Sequence, residues 1–140
     1  MASVNPYLNF NGNTEEAFNF YKSVFGGEFA ALQRFKETPH AGNVPTSEQE
    51  KMMHIALPIG AGSMIMGTDI LESMDNVTFG TNFSIAVSAE SEEEARRLFE
   101  ALSAGGQVTM PLEKVFWGDY FGMLTDKFSI QWMISYTYKH

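Results

Sequence analysis

Two stretches of this chain repeat one another, and that repeat governs what it can fold into. Asn5-Pro6-Tyr7-Leu8-Asn9-Phe10 leads into Thr14-Glu15-Glu16 and a helical pattern that stops at Gly26-Gly27. Asn82-Phe83-Ser84-Ile85-Ala86-Val87 leads into Ser91-Glu92-Glu93-Glu94 and a second helical pattern that stops at Gly105-Gly106. The step from the last apolar strand residue to the helix cap is the same in both, Phe10 to Thr14 and Val87 to Ser91. Self-similarity of this kind marks a duplicated supersecondary unit that buries its apolar face only with help from its neighbour.

The second helix is the clearer one. Ser91 and Glu94 have the spacing of a capping box, three acidic residues sit at the positive end of the helix dipole, and Ala95, Leu98, Phe99 and Leu102 recur on one face. The first carries Ala17, Phe18, Tyr21, Val24 and Phe25 on one stripe, and its terminal glycines suit a left-handed cap. After each helix the period changes to two. Strands are expected near 28–36, 52–59 and 63–68, with Gly60-Ala61-Gly62 as a hairpin turn, and near 107–110, 117–125 and 128–135, with Asp126-Lys127 in a tight turn. The pattern reads βαβββ twice, an α+β fold with modules at 1–75 and 76–140 and a link over 70–80. The polar stretch from Glu37 to Glu50, containing Pro39, Gly42, Pro45 and Ser47, is long for a plain connection and is expected to be a mobile lid or a dimer contact.

Alternation along the strands sorts the side chains by face. Leu8 and Phe10, then Met53, Ile55, Leu57 and Ile59, then Phe83, Ile85 and Val87, then Ile130, Trp132 and Ile134 are expected to face the helices. The opposite face then gathers Tyr7, Asn9, His54, Ser84 and Gln131, together with Met133. This set contains no Lys, Arg, Asp or Glu, the usual occupants of a solvated sheet face, and uncharged hydrogen-bonding groups among Met and aromatic residues suit a partly closed cavity.

Composition narrows the function further. The 17 acidic and 9 basic side chains give a net charge of −8, which repels phosphate backbones and anionic lipid heads, so neither nucleic acid nor a membrane is expected as partner. Without cysteine there is no disulfide framework and no thiol chemistry. No stretch nears the roughly 20 apolar residues of a membrane span, and no charged n-region followed by an apolar run opens the chain, so a cytoplasmic location is expected. Nine Met and twelve Phe fit either core filling or the lining of an adaptable pocket.

The order and spacing of several short motifs resemble the vicinal oxygen chelate superfamily of glyoxalase I, bleomycin and fosfomycin resistance proteins and extradiol dioxygenases, and within it the PhnB-like branch. The resemblance spans nearly the whole chain through Pro6-Tyr7-Leu8-Asn9-Phe10-Asn11-Gly12, Glu15-Glu16-Ala17 with Phe20-Tyr21-Lys22, Phe25-Gly26-Gly27-Glu28, Met53-His54, Trp117-Gly118-Asp119, and Asp126-Lys127-Phe128 leading to Trp132. It implies paired βαβββ modules forming an open, cup-shaped mixed sheet with helices outside, within a homodimer, and a ligand in the cup. Metal-dependent members take ligands early in the first strand and late in the last strand of each module. Carried onto this chain, those positions fall at Asn5 or Pro6, near Met66, at Asn82 and at Met133. None is a His or a carboxylate, the donors that divalent ions of this class require. The branch is sometimes labelled as a methyltransferase of ubiquinone precursors, but the Gly-rich strand-to-helix turn of a Rossmann-type cofactor site is missing.

These readings point to a small-molecule-binding homodimer that needs no cofactor. Tyr7, Asn9, His54, Ser84 and Gln131 are expected to orient a neutral or cationic aromatic ligand, with Met133 beside them and Trp117, Tyr120 or Phe121 as a wall. The alternative is an enzyme of the same superfamily, a lyase, isomerase or dioxygenase. It would use His54 as general base, or a divalent metal at displaced ligands drawn from His54, His40, Glu48 and Asp119. A purely structural dimer is the third reading.

Overall fold

The computed structural model describes residues 2–39, 41–60 and 62–138. Ala61 of the expected hairpin turn, and His40 and His140, lie outside the described residues. The chain divides into two compact units between Thr78 and Phe79. Both have the order strand, helix, three strands.

In the first unit β1 (Tyr7–Phe10), α1 (Thr14–Phe25), β2 (Ala31–Arg34), β3 (Met52–Ile59) and β4 (Ser63–Asp69) form a sheet of order β1-β4-β3-β2, parallel at β1/β4 and antiparallel elsewhere. Leu8, Phe10, Ile55, Leu57 and Ile65 are buried, as are Ala17, Phe18, Tyr21 and Val24 of α1, which packs on β3 and β4. Helix and sheet approach closely because β4 carries a glycine: a Cβ on Gly67 would lie 2.7 Å from Phe18 Cε1. Gly26 and Gly27 take φ of +79° and +83°, open to glycine, but Gly26 at ψ −168° does not form the left-handed helical cap expected there. The helix start differs from expectation. Thr14 is the first helical residue rather than the cap, and Asn13 before it makes no side-chain capping bond. Instead the buried Asp69 at the end of β4 accepts the Thr14 N–H at 3.0 Å and its hydroxyl at 2.6 Å, and with its other oxygen the Met52 N–H at 2.8 Å.

That second contact marks a correction. The β2/β3 register runs Gln33↔His54 and then Arg34↔Met52, so Met53 is an extra residue in a β-bulge. Met52, 1% exposed, takes the core place expected of Met53, while Ile55 and Leu57 keep theirs. Thr68 Oγ1 donates to the Met53 carbonyl at 2.8 Å, so the bulge is hydrogen-bonded on both sides.

The second unit repeats the topology with β5 (Ile85–Ser88), α2 (Glu92–Ser103), β6 (Gln107–Lys114), β7 (Asp119–Thr125) and β8 (Gln131–Thr137) in the order β5-β8-β7-β6. Ser91 Oγ accepts the Glu94 N–H at 3.0 Å, but the Glu94 carboxylate reaches back to Glu90 N–H rather than to the cap residue. Ala95, Leu98, Phe99 and Leu102 are buried, as expected, against β7 and β8. Five strand ends move: β7 begins at Asp119 and β8 ends at Thr137, each two residues later than expected, and three other shifts have a visible cause. β5 begins at Ile85 because the Gln131 side-chain amide takes the Phe83 carbonyl at 2.6 Å, which leaves Phe83 60% exposed instead of facing α2. β8 begins at Gln131 because Asp126 Oδ1 accepts both Phe128 N–H and Ile130 N–H, closing a turn with Ser129 at φ +71°. β6 runs past its expected end to Lys114, its register shifting on either side of Met110, the second shift spanning Pro111, which an edge strand tolerates.

The link and the long loop are both tied down. Asn11 donates to the Val77 carbonyl at 3.3 Å and accepts the Val77 N–H at 2.8 Å, which fastens the link to the first unit. The expected strand over 28–36 is only Ala31–Arg34, because Glu37 Oε1 accepts Arg34 N–H and bends the chain into a 3-10 turn over Phe35–Glu37. Two more such turns follow at Ala41–Asn43 and Thr46–Glu48. Gln49 Nε2 bridges the carbonyls of Ala41 and Val44, and the buried Glu48 accepts Glu72 N–H at 2.7 Å and Lys51 Nζ at 3.1 Å.

Candidate functional site

Cross-strand partners share a face, so the register assigns side chains without further assumption. In the first unit Tyr7, Met66, Ala56 and Ala31 stand in one row across the sheet, Asn9 pairs with Thr68, and His54 pairs with Gln33. Tyr7, Asn9 and His54 therefore lie on the face away from α1, as expected. Tyr7 reaches over β4 to His54: their rings stack with centroids 5.8 Å apart and planes 24° apart, and the phenol oxygen is 3.3 Å from Nδ1. Loss of water around Tyr7 pushes its phenol above the ordinary tyrosine value, so it stays a neutral donor through the physiological range. The rows over Ala31, Gln33, His54, Ala56, Met66, Thr68, Tyr7 and Asn9 carry no charged side chain.

Missed by sequence reasoning, a groove of about 430 Å³ opens between the sheet and the long loop, bordered by Met53 and by Gln33, the register partner of His54. Val44 and Leu71 form its buried floor, Phe35 and Met53 its half-buried walls, and Gln33, Glu37, Thr38, Pro39 and Asn43 complete the lining. The bulge is what places Met53 there. The only signal in the sequence was the length of the loop, because the lining comes from segments far apart in the chain.

In the second unit Phe121 pairs with Ser135, Met123 with Met133, Thr125 with Gln131, and Met133 with Ala86, which puts Phe121, Gln131 and Met133 on one face away from α2. Trp117 joins them by packing edge-on against Phe121, centroids 5.6 Å apart, with its indole N–H donating to Asp119 Oδ2 at 3.1 Å. Tyr120 does not. It pairs with Tyr136 on the opposite face and belongs to a cluster around Tyr138, whose hydroxyl donates to Glu92 of α2. Gln131 is committed to the Phe83 carbonyl, and Ser84 lies half-buried just before β5.

Among the described residues the donors for a metal do not converge. The Asn5 side chain accepts Met64 N–H, Asn82 is exposed outside any strand, and Met66 and Met133 are thioethers. The two methionines are not even equivalent: aligning Phe10 with Val87, Thr68 rather than Met66 matches Met133. Of the displaced set, Glu48 is held by Lys51 and Glu72, and Asp119 by Trp117. Among the described residues no three His, Asp or Glu side chains group together. These residues do not fit the divalent ion of metal-dependent relatives.

Comparison with known proteins agrees with the fold. The family model described as 3-demethylubiquinone-9 3-methyltransferase matches residues 2–135. The chain is 34% identical to Protein YjdN of Escherichia coli (strain K12), over 94% of this chain and 93% of that one. It is similar to the solved structure of protein PA1353 from Pseudomonas aeruginosa, at 36% identity, TM-score 0.86 and 98% of each chain. It is also similar to a PhnB protein from Bacillus cereus, described as a putative 3-demethylubiquinone-9 3-methyltransferase, at 28% identity, TM-score 0.78, over 97% of this chain and 100% of that one. A glyoxylase/bleomycin resistance protein/dioxygenase domain from Frankia sp. EAN1pec, at 14% identity, TM-score 0.68 and 99% of each chain, shares the fold. Two βαβββ units and these likenesses together make the chain a member of the PhnB-like family within the glyoxalase/bleomycin resistance/dioxygenase fold.

Proposed function

We propose that the protein binds a small organic molecule, with Tyr7 and His54 orienting it on the uncharged sheet face of the first module. The observation that carries this reading is the stacked Tyr7–His54 pair, two polar aromatic groups left partly open on a sheet that also borders, through Gln33 and Met53, a groove of about 430 Å³. Such a combination of apolar lining and a few convergent polar groups is what small-molecule sites offer. In the second module Trp117, Phe121, Met123 and Met133 supply a further aromatic and thioether surface for the same class of ligand. The protein acts as a cytoplasmic homodimer and the binding needs no metal; the donor chemistry at the carried positions supports the latter. No helix among the described residues is long and apolar enough to cross a membrane.

A thermal-shift screen against aromatic and glycopeptide compounds tests the reading. Hits that His54→Ala weakens support it, and a screen whose hits ignore both His54→Ala and Tyr7→Phe overturns it. Light scattering at roughly twice the monomer mass checks the dimer.

One contact favours a second reading. The Tyr7 hydroxyl lies within hydrogen-bond reach of Nδ1, which holds the imidazole ring in place and leaves Nε2 to meet a bound substrate. Turnover abolished by His54→Gln would select this reading over simple binding.

A further inference from the structure

The groove under the long loop differs from the Tyr7–His54 face in its charge. Among the described residues of its lining only Glu37 is ionisable. One Glu37 oxygen accepts the Arg34 N–H at 3.0 Å, and the other makes no hydrogen bond or ion pair among the described residues. The nearby cations make their direct ion pairs with other carboxylates: Arg34 with Glu15 at 2.7 Å, Lys36 with Glu50 at 2.6 Å, and Lys51 with Glu48 at 3.1 Å. The rim therefore presents a carboxylate that feels the Arg34 charge but keeps one oxygen outside any hydrogen bond or ion pair among the described residues, above a floor of Val44 and Leu71 and a wall of Phe35 and Met53.

We infer that this groove is the subsite for an ammonium group, so that the ligand is a small organic cation whose apolar body rests on Phe35 and Met53 while its charged end meets Glu37. The volume suits such a molecule, since ligand sites begin near 300 Å³. An aromatic wall and a carboxylate both favour positive charge, and both would disfavour a carboxylate ligand. The inference deepens the proposed function and rests on it, because Gln33 on the rim is the register partner of His54.

The test uses protein labelled with 13C at the methionine methyls, titrated with 2-phenylethylamine, neutral 3-phenylpropanol and anionic 3-phenylpropionate. The Met53 methyl signal, assigned with Met53→Leu, is expected to shift with the amine. The amine should bind about threefold to fivefold more tightly than the alcohol, the range for an ion pair at a solvent-facing rim, and the acid more weakly still. Glu37→Gln keeps an acceptor for Arg34 N–H, and is expected to erase the preference for the amine while leaving the alcohol unchanged. A Met53 signal unmoved by the amine, or an unchanged preference in Glu37→Gln, overturns the subsite. Either result, with screening hits still weakened by His54→Ala, leaves the proposed function standing. Insensitivity of every ligand to His54→Ala and Tyr7→Phe, with amine preference intact, overturns the proposed function instead.

Discussion

Tyr7 on β1 and His54 on β3 touch although a whole strand separates them, the phenol crossing β4 to stand 3.3 Å from the imidazole. The pair exists because β1 is parallel to β4 in a register that sets Tyr7 level with Ala56, two residues beyond His54 on the same face.

Tyr7→Phe removes one polar atom from a side chain that is 46% exposed, so stability should move by no more than about 0.5 kcal/mol. Affinity for screening hits should nonetheless fall about threefold to tenfold, the worth of one net hydrogen bond. Isothermal titration of wild type and variant checks this, and equal affinities would remove the phenol from the site.

Asp69→Ala leaves Thr14 N–H, the Thr14 hydroxyl and Met52 N–H without their acceptor in a buried place. A loss of roughly 3–5 kcal/mol in urea unfolding is expected, against about 1 kcal/mol for Thr14→Ala, which spares the two backbone donors.

Acid should act through Glu48 and Glu15. The Glu72 N–H, aided by Lys51, holds the Glu48 carboxyl below the ordinary range, and the Arg34 hydrogen bond does the same for Glu15. A carboxyl lowered on folding adds stability that is complete above its unfolded pKa, near 4.3, and is lost as pH falls through the lower folded value. Urea midpoints measured from pH 6 to pH 3 should therefore drop below about pH 4.3, and less steeply in Glu48→Gln. Tyr7 works at the other end: its raised pKa means that stability is lost as pH rises past about 10, readable as a delayed tyrosinate absorbance in the folded protein.

Gly122→Ala should cost about 2–3 kcal/mol by overpacking, since its Cβ would stand 2.7 Å from Phe99 Cε2 and 2.8 Å from Leu112 Cα, and the second of these is backbone that cannot swing away. Thermal unfolding of the variant measures it.

The βαβββ repeat, both helices and the polar face of β1 and β3 could be read from periodicity, because each depends on neighbours along the chain. What escaped depends on partners far away. Asp69 caps a helix from the end of another strand, and nothing near Thr14 announces it. The bulge at Met53 breaks an alternation that looks unbroken in Met53, Ile55 and Leu57. Tyr120 and Phe121 were equally good wall residues until the pairing of Tyr120 with Tyr136 put them on opposite faces. The groove gathers Phe35, Val44, Met53 and Leu71 from separate segments, and no local pattern joins them.

The Asp69 carboxylate ties the first turn of α1 to the bulge of β3, one oxygen on each. In hydrogen exchange the Thr14 and Met52 amides are therefore expected to open with one free energy and one denaturant dependence, and to lose protection together in Asp69→Ala. The strand that carries His54 and the helix that follows Tyr7 thus breathe on one clock, and the spacing of the two rings across β4 is kept by a carboxylate that touches neither.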